Sequence, residues 1–72
     1  MDAASESSTR YEIVVKDRLS RRFESAFPGV ELEPGPGQTV LRGDFADQAQ
    51  LHGLLDRIRD FGIELVSVNA LD

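Results

Sequence analysis

Hydrophobic and polar positions follow two different periods along this chain, and the changes of period mark its elements. Tyr11-Glu12-Ile13-Val14-Val15-Lys16 is β-branched and aromatic, which predicts a strand. Leu19, Phe23, Ala26 and Phe27 then recur at i, i+4, i+7 and i+8, one face of a helix that Asp17 or Ser20 caps and Pro28-Gly29 ends. Val30-Glu31-Leu32-Glu33 alternates as a short half-buried strand. Pro34-Gly35-Pro36-Gly37 is a strong turn signal, and Gln38-Thr39-Val40-Leu41-Arg42 follows as the partner strand of an antiparallel hairpin, ending at Gly43. Asp47, with Gln50 three residues on, opens a second helix. Leu51, Leu54, Leu55, Ile58 and Phe61 form its apolar stripe and Gly62 stands at the C′ position. Ile63 to Val68 reads as the last strand.

The order β-α-β-β-α-β predicts an α+β, ferredoxin-like βαββαβ sandwich. Right-handed crossovers put two helices on one face of a four-stranded antiparallel sheet in the order 4-1-3-2. Residues 1–9, small and polar without an apolar period, read as a disordered leader, and residues 10–72 as a single ferredoxin-like domain. If Tyr11, Ile13, Val15, Thr39, Leu41, Ile63 and Leu65 face the helices, the open face carries Val14, Val40, Val66 and Val68 among Glu12, Lys16, Arg42 and Glu64. Valines are ordinary strand formers, yet four side by side on a solvated face are unusual. Interleaved with charges of both signs, they suit a contact with another protein. A self-complementary dimer, in which Arg or Lys of one copy meets Glu of the other, is the simplest case.

Composition narrows the chemistry. Seventy-two residues allow one domain, small enough to be marginal alone. Thirteen acidic against eight basic residues give a net charge of -5, which argues against a binder of nucleic-acid phosphates. There is no cysteine, hence no disulfide, thiol nucleophile or cysteine metal site, and no apolar run long enough to span a bilayer. A cytoplasmic protein without membrane partner, cofactor or metal is the expectation.

Candidate reactive groups are few. His52 lies on the polar side of the second helix, four residues before Asp56, and reads as a surface histidine. Arg18, Arg21 and Arg22 cluster where the first strand gives way to the first helix. Arginines there suit a carboxylate or phosphate, although Asp17 and Glu24 flank them and a locally neutralised surface is the plainer reading. Glu31 and Glu33 share one face of an edge strand and discourage sheet extension. No carboxylate pair is marked as acid and base, no serine has an activating setting, and the glycines around Pro36 form no phosphate loop. The expectation is therefore a non-enzymatic module.

The segments YEIVVKDRLSRRF and DQAQLHGLLDRIRDFGIELVSV resemble small actinobacterial proteins of uncharacterised function, over most of residues 11–68. More loosely, Val15-Lys16-Asp17-Arg18-Leu19 followed by an amphipathic helix looks like the start of ACT regulatory domains. That resemblance implies dimerisation and a small ligand, such as an amino acid, near the first strand–helix loop, at Asp17, Arg18 and Arg21. Acylphosphatases, heavy-metal chaperones and RNA-recognition motifs are similar in topology. Their phosphate loop, cysteine pair and third-strand aromatics, respectively, are missing here.

Overall fold

A computed structural model of the chain describes residues 8–71. In chain order the elements are β1 (Thr9–Val15), a 3-10 turn (Arg21–Glu24), β2 (Val30–Gly35), β3 (Gln38–Phe45), α1 (Gln48–Asp60) and β4 (Leu65–Ala70). The architecture is a small α+β fold. Among the described residues one four-stranded antiparallel sheet, in the order β2-β3-β1-β4, carries a single α-helix. Most of the expected leader lies outside the described residues, and its last residue, Thr9, is already paired with Phe45 in β1.

The central strands follow from their side chains. Ile13, Val15, Thr39 and Leu41 face one side and are fully buried. Leu51, Leu54 and Ile58 of α1 pack over them, with Phe45 and Ile63 at the margins. Hairpin β2–β3 closes through Pro36-Gly37, between the paired residues Gly35 and Gln38, and Gly37 takes the positive φ of 73° that such a turn demands of its second central residue. β3 runs three residues past Arg42. It does so because Gly43 has no side chain to strike Val30, whose Cγ2 would lie 3.3 Å from an added Cβ.

Helix α1 is set by its ends. The Gln50 amide donates to Asp47 Oδ1 at 2.9 Å, and Gln50 Oε1 accepts from the Ala46 amide at 2.7 Å. At the other end Gly62, with φ 75°, lets its own N–H reach Arg59 O and that of Ile63 reach Ile58 O, a complete Schellman motif.

Two expectations change. The first helix is absent. In its place stands the single 3-10 turn, in a segment held by i→i−3 bonds: Phe23 N–H to Ser20 O, Ala26 to Phe23 and Phe27 to Glu24. Only eight residues lie between Leu19 and Pro28, too few to sustain a helix without strong caps. Ser20 makes no side-chain cap, and the Ser25 hydroxyl donates to Arg22 O instead of leaving the backbone to itself. The apolar positions still do their work. Leu19 and Phe27 are buried, and Phe23 and Phe27 meet Phe61 edge-on, with centroids 5.3 and 5.9 Å apart.

The second change is a β-bulge in β4. Val14 pairs with Ser67 but Val15 with Leu65, so Val66 is an extra residue. Strict alternation would put Glu64, Val66 and Val68 on the open face. Beyond the bulge the faces exchange. Val68 lies opposite Ile13, half-buried against the core, while Ser67 and Asn69 stand opposite Val14 and Glu12. Val68 therefore leaves the expected interface, and the valine patch is Val14 and Val40 with Val66 at the bulge.

Candidate functional site

The face without a helix is built by the odd-out residues of each strand. Val14 and Val40 sit directly opposite each other on the two central strands, both half-buried although no layer of the described residues covers them. Their cover is the charged side chains around them. Glu12 pairs in register with Arg42, whose Nε lies 3.2 Å from Glu12 Oε2 while its Nη1 lies 2.6 Å from Glu33 Oε1. Arg10 reaches Glu31 at 3.0 Å and Asp44 at 3.5 Å. Lys16 Nζ is 3.9 Å from Glu64 Oε1, and the Lys16 amide donates to the Glu64 carbonyl. The hydrogen bond to Glu33 raises the Arg42 guanidinium above its ordinary value, against the opposing pull of desolvation, and the Glu33 charge and the Glu12 carboxylate add to the rise.

Of the eight residues expected at an interface, the structure brings Glu12, Val14, Val40 and Arg42 into one contiguous group. Lys16 and Glu64 form a separate pair beside it, Val66 is exposed at the bulge, and Val68 turns inward. Arginines expected to meet glutamates of another copy already meet glutamates of their own chain. Such cross-strand pairs on an exposed surface contribute about 0–1 kcal/mol each. Their larger effect is to give every one of these charged side chains a partner of opposite sign, although carboxylates outnumber cations. Arg10, Glu31, Glu33 and Asp44 belong to this lattice and were not among the expected residues. Their periodicity placed them on the right face, but the reach of Arg10 across β3 is a tertiary property.

The second candidate lies at the end of β1. Arg18, Leu19, Ser20, Arg21 and Pro34 line an open groove of about 570 Å³. Arg18 and Arg21 are exposed, and among the described residues neither makes an ion pair. Asp17 does not line the groove. Its carbonyl accepts from the hydroxyl of Thr39 at 2.8 Å, and that Thr39 hydroxyl oxygen in turn accepts from the Leu19 amide at 2.8 Å. Fully buried Thr39 thus clamps the backbone on both sides of Arg18. Arg22 is exposed outside the groove, and His52 is exposed on α1. A third cleft, of about 430 Å³, opens between α1 and the irregular segment, where Arg57 Nη1 donates to Ala26 O at 3.0 Å.

Among the described residues no three His, Asp or Glu side chains gather as metal ligands, and no helix is long and apolar enough to cross a membrane. Residues 10–69 match the model of a family described as a domain of unknown function, DUF8691, and the chain belongs to that family. No curated protein and no solved structure matches it.

Proposed function

We propose that this domain is a non-enzymatic interaction module that dimerises or docks a protein partner through its open sheet face. The observation that carries the reading is the Val14–Val40 pair at the centre of the sheet face that α1 does not cover, ringed by ion pairs closed within the chain. A partner laid there meets apolar side chains and carboxylates that each already hold an ion-pair partner. The double substitution Val14→Glu, Val40→Arg tests it. Placed opposite each other, the new side chains form one more cross-strand ion pair and keep the sheet, while removing the apolar centre. Sedimentation should show loss of the complex that this face makes with a protein partner or a second copy; a folded variant that still forms that complex sinks the reading, whatever pairing persists at another edge.

A second reading rests on the groove at Arg18 and Arg21. We read the fold as a ferredoxin-like plan whose first helix is reduced to one turn, and the groove then occupies the position where ACT-like domains take a small ligand. Two guanidiniums that make no ion pair among the described residues, on a backbone clamped by Thr39, suit a small carboxylic acid such as an amino acid. Thermal-shift screening against amino acids and simple carboxylates should find a stabilising ligand whose effect disappears in Arg18→Ala, Arg21→Ala. A flat response across the panel removes this reading.

A further inference from the structure

We infer that β4 is a self-association edge, at which two copies pair antiparallel to make one continuous eight-stranded sheet. The order β2-β3-β1-β4 leaves two edges, and they are finished differently. β2 presents Glu31, Glu33 and Pro34, all exposed, the devices that blunt strand addition. β4 has neither charge nor proline anywhere from Leu65 to Leu71. Along it Leu65, Val66 and Leu71 are 43%, 56% and 44% exposed. Its backbone is poised as well. The Leu71 amide donates to Arg10 O at 2.7 Å, so by the alternation of an antiparallel ladder the amides of Val68 and Ala70 point away from β1, toward the open edge.

Beneath that edge, on the helix side, Leu55, Ile58, Ile63 and Leu65 line an apolar groove of about 270 Å³ with the Asp56–Arg59 ion pair at its rim. A strand added to β4 lays alternate side chains over this groove. A second copy of β4 answers both needs. Antiparallel self-pairing about a two-fold axis matches each copy's outward donors to the other's acceptors, and the strand brought in is itself uncharged, with Leu65, Val66, Val68 and Ala70 as its apolar residues. For a second copy, charge selects the same edge. Pairing β2 with β2 would set glutamates against glutamates, whereas the residues of β4 meet those of another β4 with no carboxylate among them, which matters between copies that each carry a net -5.

The inference is independent of the open-face reading, and the experiment separates them. Mass is measured by sedimentation and native mass spectrometry over a wide range of concentration for the full chain, Leu65→Lys, Ala70→Pro and the face variant Val14→Glu, Val40→Arg. Leu65→Lys places like charges on the edge at an exposed site, and Ala70→Pro removes an outward donor without touching the ladder to β1. The expected result is a dimer of the full chain, with Val68 and Ala70 amides exchanging more slowly as it forms. Both edge variants should raise its Kd about tenfold or more, while the face variant leaves it unchanged. A chain that stays monomeric with those amides exchanging freely overturns the inference, even if a strand of another protein binds the edge. So does a dimer that survives both folded edge variants, or one lost only in the face variant.

Discussion

Thr39 shows how much can hang on one hydroxyl. Among the described residues it is the one buried polar side chain, and it both donates to Asp17 O and accepts from the Leu19 amide, holding the chain where it leaves the sheet. Replacing it with valine keeps the shape and strands a buried N–H, at a cost of about 1–3 kcal/mol in urea unfolding. Thr39→Ser keeps the hydroxyl and should lose less, and the difference between the two variants reports the clamp. Faster hydrogen exchange at the Leu19 amide in the valine variant, absent in the serine one, completes the check. In the sequence Thr39 reads as one more strand former beside Val40. The partners that give it a role lie about twenty positions away, and no local pattern contains them. Val14 and Val40, by contrast, were legible, because period 2 alone assigns a face and their register keeps to it.

Helix α1 was legible for the same local reason: Asp47, Gln50, the leucine stripe and Gly62 act within a turn or two of themselves. Its glycines separate cleanly. Gly53 is mid-helix, and a Cβ there would meet nothing within 4 Å, so Gly53→Ala should stabilise the domain by about 1 kcal/mol in thermal or denaturant unfolding. Gly62 has φ 75°, and alanine in that left-handed position should destabilise by about 1 kcal/mol. If the two substitutions act alike, the assigned C-cap is wrong. The first predicted helix failed because its apolar spacing is helical while its length and serines are not. Burial of Leu19 and Phe27 survived, and the regular backbone did not. β4 misled in another way. Inserting Val66 leaves every residue type strand-like and moves Val68 to the other face, which a period-2 reading cannot register.

At the scale of the molecule, one 13-residue helix, roughly 20 Å long and 10 Å across, lies on a four-stranded sheet about 15–20 Å wide, and an irregular segment fills part of the remainder. A chain this size buries only about 60% of its unfolded surface, so association should count visibly in its stability. Mass action makes that quantitative: if two folded copies dissociate on unfolding, a tenfold rise in protein concentration adds about 1.4 kcal/mol to the apparent free energy of unfolding of the dimer. Melting temperature should therefore climb with concentration for the full chain. If β4 is the contact, the slope flattens in Leu65→Lys and Ala70→Pro and persists in Val14→Glu, Val40→Arg; if the open face is the contact, the pattern reverses. Melting independent of concentration in all of them would mean that neither surface meets its own copy, and the open face would then have to earn its role from a different protein.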